Sequence, residues 1–263
     1  MAPAQVSIPG IKLGVHKPSL VLLHGWGYDS SCWPKKMLQQ LSADYELILL
    51  DLPGHGQDAQ SLNLGDSIEH LDEWIAITKR RLPQHYHLMG WSLGAQIAIR
   101  MAHNDSRIQG LLLMAVNPKF ITCDNWSAAM LPDLLRRFEQ GYQDLAHKTL
   151  RRFASLQAQG SANPKLLAAR MIELMPVQAE KILGLKLLQA LDERAHFSQL
   201  SQPCYLELAE DDELVPWAWV KQLQLPSNVQ LNTVLGGHGY LLEQESIATT
   251  MLEFLQLGCN SDA

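Results

Sequence analysis

The sequence predicts an α/β protein with a doubly wound, mostly parallel sheet and an inserted helical lid. Six short apolar runs alternate with stretches of helical period along most of the chain. Continuous apolar runs are typical of parallel strands that helices bury on both faces, and the alternation is typical of a doubly wound sheet. The predicted strands are Pro18 to Gly25, Glu46 to Gly54, His85 to Gly90, Gly110 to Val116, Pro203 to Ala209 and Val229 to Gly237.

A helical block interrupts this alternation from about Pro118 to Ser198. Its apolar residues recur at helical spacing, as at Phe138, Tyr142 and Leu145, and we find no good strand pattern in it. A block of this size between two strands predicts an insertion that lies over the carboxyl ends of the strands as a lid. The expected division is 1–117 and 199–263 for the α/β core and 118–198 for the lid.

Composition limits the class of protein. The 263 residues are 47% apolar with a formal net charge of −6, which suits one acidic globular domain and does not suggest a nucleic-acid binder. The N-terminal stretch lacks the basic start and apolar run of a signal peptide. No stretch approaches 18 uncharged apolar residues, so we expect no membrane partner. The four cysteines form no CxxC pair, and we expect reduced thiols in a cytoplasmic protein.

The segment Gly90-Trp91-Ser92-Leu93-Gly94 carries the strongest chemical signal. It matches the G-x-S-x-G nucleophile elbow and lies between a predicted strand and a predicted helix, where that motif must lie. The glycines permit a turn too tight for side chains, and the turn holds the Ser92 hydroxyl out at the top of the sheet. Five-residue patterns of this kind do arise by chance, but the strand–turn–helix context favours a catalytic serine.

A serine hydroxyl needs a base, and in this arrangement an acid and then a histidine follow the serine along the chain. His238 follows the last predicted strand, and Asp212 and Asp211 follow the preceding one. We expect His238 to accept the Ser92 proton and Asp212 to orient the imidazole. Asp211 is the rival acid. The preference for Asp212 comes from its position three residues before Val215-Pro216 and partly from the family pattern below.

The segment His24-Gly25-Trp26-Gly27 follows the first strong strand, where a second oxyanion donor is expected. The backbone N–H groups of Trp26 and Leu93 would then bind the oxyanion. We expect the His24 side chain to brace this loop.

Other candidates carry weaker signals. His85 and His87 would place two imidazoles on one strand face, but no third ligand has suitable spacing, so a structural role is favoured over a metal. No histidine is placed to activate Cys32, and a turn role is the default for Asp51. Trp91 is either a core residue or part of an acyl pocket, and the same holds for Phe153. We expect neither a metal nor a cofactor.

Together the segments HGWG, DLPGHG, GWSLGA, Asp212-x-x-Val215-Pro216 and the late His238 resemble the α/β-hydrolase carboxylesterases over nearly the whole chain. Among these, the lid stretch Arg152 to Gln157 is similar to that of the pimeloyl-[acyl-carrier protein] methyl ester esterases of biotin synthesis. The resemblance implies hydrolysis of that methyl ester. We also expect a monomer. Position by position it implies Ser92, Asp212 and His238 as the triad, Trp26 and Leu93 as oxyanion donors, and Trp26, Trp91 and Phe153 as substrate contacts.

The sequence departs from the family pattern in three segments, and none of the departures removes a catalytic group. Ala95 replaces a second glycine after the elbow, Ala209 replaces the glycine that opens the acid loop, and Gly239-Tyr240 replaces a small residue and proline after His238. Alternatives within the fold are a small-acyl esterase and a carbon–carbon bond hydrolase or lyase. A non-catalytic binding module is a third alternative, which the intact triad disfavours.

The predicted lid is basic on an acidic body. Residues 118–198 carry 11 Lys and Arg against 8 Asp and Glu, a net charge of +3, whereas the rest of the chain carries −9. A solvated helix surface would explain this, and so would a dock for an acidic acyl carrier protein. In the resembling family basic lid residues bind the carrier. Lys148, Arg152 and Lys165 match such positions, and Arg170 is offset by one.

Overall fold

The computed structural model describes residues 17–57, 68–243 and 247–259. A single sheet of six parallel strands has the order β2-β1-β3-β4-β5-β6, which confirms the predicted fold class. The strands are β1 Ser19–Leu23, β2 Glu46–Leu50, β3 Tyr86–Trp91, β4 Ile108–Met114, β5 Cys204–Ala209 and β6 Val229–Val234. The helices are α1 Lys35–Asp44, α2 Ile68–Arg81, α3 Leu93–Ala102, α4 Pro132–Gln157, α5 Pro164–Leu174, α6 Ile182–Ala190, α7 Arg194–Ser198 and α8 Ile247–Cys259.

Strands β1 and β3 lie inside the sheet and are buried along their whole length, which explains their unbroken apolar sequences. Every residue of β1 and β3 is buried, because helices cover both faces of a parallel sheet. The parallel register pairs Leu23 with Gly90 and Trp91 with Met114, so these strands end at the same edge. The loops that follow β1, β3, β5 and β6 therefore meet at one edge of the sheet, where doubly wound folds place their sites.

Helices α4 to α7 lie between β4 and β5, and the two ends of this segment meet, since the Glu193 N–H donates to the Pro118 carbonyl at 2.8 Å. Helix α4 is interrupted at Leu145, whose φ of −147° and ψ of 65° are not helical. The expectation that Leu145 shares an apolar face with Phe138 and Tyr142 is wrong, because the interruption breaks the helical phase and leaves Leu145 60% exposed.

None of the helices within the described ranges has the length and apolar character that crossing a membrane requires.

The predicted pair of imidazoles on one strand face is also wrong. His85 precedes β3 and is exposed, whereas His87 lies within β3 and is 2% exposed. The His87 ring packs edge-on against Tyr45. Neither of its nitrogens has a hydrogen-bond partner among the described residues. Burial lowers the pKa of His87 to about 4, because an unpartnered imidazolium is costly to bury.

This burial makes His87 a source of acid sensitivity. The unfolded chain binds a proton at His87 near pH 6.5, and the native state only near pH 4. The contribution of neutral His87 to the free energy of unfolding is therefore present above pH 6.5 and is lost as the pH falls towards 4. The loss is about 2 kcal/mol between pH 7 and 5. In urea unfolding at both pH values, His87→Leu is expected to remove that loss. The exposed His85→Leu is the matched control and should keep the wild-type dependence. The same dependence in all three proteins would contradict the assignment.

Candidate active site

The elbow after β3 has the strained geometry that its sequence predicts. Ser92 has a φ of 56° and a ψ of −118°, a backbone region that non-glycine residues rarely adopt. A Cβ on Gly90 would lie 2.4 Å from the Cα of Ala95, and one on Gly94 would lie 2.3 Å from the Leu23 carbonyl oxygen. Because these two glycines have no side chain, β3 can turn directly into α3, and α3 can approach the end of β1.

Three side chains form a continuous hydrogen-bond relay at this elbow. The Ser92 Oγ lies 2.9 Å from the Nε2 of His238, and the Nδ1 of His238 lies 2.7 Å from the Oδ2 of Asp212. The other oxygen of Asp212 accepts the N–H groups of Leu214 and Val215 at 2.9 and 2.8 Å. Asp212 and His238 are 4% and 3% exposed. The relay has the donor and acceptor order of a nucleophile, a base and an orienting acid.

Asp211 faces away from this relay. Its side chain is exposed, and its backbone N–H donates to the Gly236 carbonyl at 3.0 Å. Asp212 is therefore the aspartate that the fold brings to His238.

The segment His24–Gly27 is here called the oxyanion loop, after the oxyanion donor predicted at Trp26. It lies beside the N-terminus of α3, which begins at Leu93. The Nδ1 of His24 donates to the Gly25 carbonyl at 2.8 Å, and its Nε2 accepts the Leu52 N–H at 3.1 Å. This pattern requires a neutral ring, and burial lowers the pKa of His24 to about 4. The bond to the Gly25 carbonyl orients the next peptide N–H, that of Trp26, so the buried His24 braces the loop.

The three predicted substrate contacts lie at different depths. Trp26 is 3% exposed and its indole packs edge-on against Phe153, with ring centroids 5.1 Å apart. Phe153 is half-buried and extends from α4 towards Gly27. Trp91 is fully buried, and its indole N–H donates to the His238 carbonyl at 3.3 Å. Trp91 thus supports the histidine loop from beneath, and its contact with substrate stays a prediction.

The four predicted docking residues do not share one surface pocket. Lys148 and Arg152 line a shallow cavity of about 440 Å³ on α4, together with Arg151. Arg170 lines a separate cavity of about 350 Å³ beside Trp33, and its guanidinium donates to the Leu242 carbonyl at 2.8 Å. Lys165 is exposed at the start of α5.

Two residues that support the site were not among the predicted site residues. Gln157, at the end of α4, accepts the Gly239 N–H on its carbonyl at 3.0 Å, directly after His238. Its side chain accepts the Tyr28 hydroxyl at 3.1 Å. His55 accepts the Gly27 N–H at 3.3 Å. Both residues lie in segments that resemble the family, Arg152 to Gln157 and DLPGHG. Neither segment identifies their partners, because Gln157 and Tyr28 are 129 positions apart and His55 and Gly27 are 28 apart.

The remaining candidates have structural surroundings. Asp51 accepts the N–H groups of Ser30 and Gln57 and so closes a turn. Cys32 is buried, and burial raises its pKa well above the usual range, which keeps the thiol protonated. Within the described ranges no group of three or more His, Cys, Asp or Glu residues is arranged to hold a metal ion.

Residues 20–249 match the alpha/beta hydrolase family. The chain belongs to that family.

Curated relatives of the chain indicate which members of the family it resembles. The chain is 34% identical to the pimeloyl-[acyl-carrier protein] methyl ester esterase of Nitrosomonas europaea, over 78% of this chain and 82% of that protein. It is 37% identical to the protein of the same name from Aeromonas salmonicida, again over 78% and 82%. A third relative is the biotin biosynthesis bifunctional protein BioHC of Cellvibrio japonicus, 34% identical over 84% of this chain, which spans only 43% of that longer protein. The resemblance that the motifs indicated is confirmed.

Solved structures show the same fold. An esterase from Exiguobacterium antarcticum superposes with a TM-score of 0.79 at 20% identity, covering 92% of this chain and 93% of that one. MenH from S. aureus superposes with a TM-score of 0.73 at 19% identity, covering 95% and 98%.

Proposed function

We propose that this protein is a serine carboxylesterase that hydrolyses the methyl ester of a pimeloyl group carried by acyl carrier protein, in biotin synthesis. The observation that carries the proposal is the relay from Asp212 through His238 to Ser92, with bonds of 2.7 and 2.9 Å. The relatives that are 34 and 37% identical to this chain over the aligned residues bear the name of that activity.

The reaction follows from this relay. The Ser92 oxygen attacks the ester carbonyl carbon as its proton passes to the Nε2 of His238, and the resulting oxyanion accepts the N–H groups of Trp26 and Leu93. The tetrahedral adduct collapses, and His238 protonates the departing methoxide to methanol. Water then attacks the acyl-serine with His238 as the base. The second tetrahedral adduct then collapses, His238 returns the proton to the Ser92 oxygen, and the free carboxylate is released.

We further propose that the segment 118–198 acts as a lid and carries the dock for the acidic carrier. Its net charge is +3 against −9 for the rest of the chain. Lys148 and Arg152 lie one helical turn apart on α4 and line one cavity, and Phe153, next along the helix, packs against Trp26. A carrier bound at this cavity would lie next to the helix that reaches the oxyanion loop. We place the enzyme in the cytoplasm, where it acts as a monomer.

The double variant Lys148→Glu with Arg152→Glu tests the dock. Charge pairs at a rim chiefly speed encounter, so kcat/KM for the carrier-bound methyl ester is expected to fall by about tenfold or more, and added salt should lower the wild-type value. Hydrolysis of a small uncharged ester needs only the relay and should change by less than about twofold. Steady-state kinetics on both substrates, with product masses confirmed by mass spectrometry, measure this.

Two controls separate the catalytic claim from the docking claim. Ser92→Ala should abolish turnover of both substrates. Equal losses on both substrates in the charge-reversed variant would contradict the dock. If the wild-type enzyme hydrolyses small esters but leaves the carrier-bound ester unreacted, the proposed substrate is wrong.

A further inference from the structure

The insertion buries one lysine against the oxyanion loop. Lys181 lies at the end of a short 3₁₀ helix, Ala179–Lys181, just before α6, and is 0% exposed. Its ammonium donates to the backbone carbonyls of Gly27 and Pro176. A lysine is almost never fully buried, because removal of its charge from water costs several kcal/mol in the absence of compensation. Packing alone would be served as well by an apolar side chain.

Residue 181 contacts two residues of the oxyanion loop, the side chain of Trp26 and the backbone of Gly27. The Lys181 carbonyl accepts the Trp26 indole N–H at 2.8 Å, while its ammonium binds the Gly27 carbonyl. Helix α6 packs directly on this loop, since a Cβ on Gly184 would lie 2.6 Å from the indole of Trp26 and 2.8 Å from the ring of His55. The loop is thus bonded to the core through His24 and to the insertion through Lys181.

We propose that Lys181 is a positioning residue for catalysis: its ammonium holds the oxyanion loop so that the Trp26 N–H points at the developing oxyanion. The proposal rests on the proposed serine esterase chemistry. Lys181 does not touch substrate and acts through Gly27 and Trp26.

The charge of Lys181 is open to titration near neutral pH. Burial lowers its pKa to about 8, against the attraction of the Asp29 carboxylate. The charge of Lys181 in turn helps to lower the pKa of two buried histidines, His24 and His55. Both act as neutral rings, since burial lowers the pKa of each well below its usual range. Loss of the proton would convert two charge-assisted hydrogen bonds into weaker amine bonds, so loop positioning should weaken on mild alkalisation.

The experiment measures the second-order rate of Ser92 labelling by a fluorophosphonate, together with kcat and KM for a small ester, from pH 6 to 10. Labelling needs the oxyanion donors but not the carrier. At pH 7, Lys181→Met is expected to label about 10- to 100-fold more slowly, with kcat reduced alike and KM within about twofold. Wild type should lose rate with a midpoint near pH 8, and this alkaline limb should be absent from Lys181→Met. Lys181→Gln, which keeps an N–H donor, should recover part of the rate.

Lys221→Met is the matched control, because Lys221 is exposed and stacks on Trp217; it should behave as wild type. Equal labelling of wild type and Lys181→Met would overturn the proposal, as would an alkaline limb shared by both. If Lys181→Met does not fold, the wild-type pH profile and the Lys181→Gln variant decide the question. A wild-type labelling rate that stays level to pH 10 overturns the proposal. A midpoint near pH 8 together with slow labelling of a folded Lys181→Gln supports it. If Ser92 is labelled but the carrier-bound ester is not hydrolysed, only the proposed substrate is refuted. Wild type that is not labelled refutes the esterase chemistry and this inference with it.

Discussion

Asp212→Asn is expected to lower kcat for ester hydrolysis by about 10⁴-fold. The reason is the orientation that the new amide must adopt. One carboxylate oxygen of Asp212 accepts two backbone N–H groups, from Leu214 and Val215, so the asparagine oxygen must take that position. Its NH₂ group then faces the Nδ1 of His238, which becomes an acceptor. The proton moves to Nε2, and His238 can no longer accept the Ser92 proton.

Asp211→Asn is the matched control for this prediction. The Asp211 side chain is exposed, and the backbone bond to Gly236 does not depend on the carboxylate. Its kcat should stay within about twofold of wild type, as is usual for surface changes away from a site. Kinetics on a small ester, with circular dichroism to verify folding, measure both variants. A large loss in Asp211→Asn with little loss in Asp212→Asn would reassign the acid.

Gly94→Ala is expected to reduce the rate of Ser92 labelling by about 100- to 1000-fold, the size of effect that follows the loss of an oxyanion donor. The added Cβ would lie 2.3 Å from the Leu23 carbonyl oxygen and 2.4 Å from that of His24. Both contacts are with backbone, so no side chain can move aside. The oxyanion loop must shift away from α3, which separates the N–H of Trp26 from that of Leu93.

Gly141→Ala provides the same chemical change at a tolerant position. Gly141 lies within α4, and the nearest atom to an added Cβ is the Thr149 hydroxyl at 3.1 Å. A small shift of that side chain suffices, and alanine favours a helix more than glycine does. Labelling of this variant should match wild type. A folded Gly94→Ala protein that labels at the wild-type rate would show that the close approach of α3 and the oxyanion loop is not needed for catalysis.

Several features of this protein were predictable because their signals are local. The unbroken apolar runs of β1 and β3 record burial on both faces of the sheet. The elbow around Ser92 is predicted from Gly90 and Gly94, where any side chain would collide with neighbouring backbone atoms. His238 follows from its place after the last strand. Each of these signals lies within a few residues of the feature it predicts.

The phase of α4 was not predictable in the same way. Apolar spacing placed Leu145 on the buried face, but the helix is interrupted there and Leu145 is 60% exposed. Spacing assumes a regular helix, and only the packing of α4 on the rest of the protein reveals the break. The predicted docking residues show a similar limit, since the family resemblance grouped Arg170 with Lys148 and Arg152, although in the fold Arg170 lines a separate cavity.

The sequence by itself determined the fold class, the family and the residues of the relay apart from the choice between two adjacent aspartates. Only the tertiary structure showed that Asp212 reaches His238, that Gln157 holds the backbone next to that histidine, and that Lys181 is buried against Gly27. The bond between Lys181 and Gly27 joins residues 154 positions apart. Sequence patterns report propensity and periodicity over one element, whereas partners at such distances are chosen by how whole elements pack.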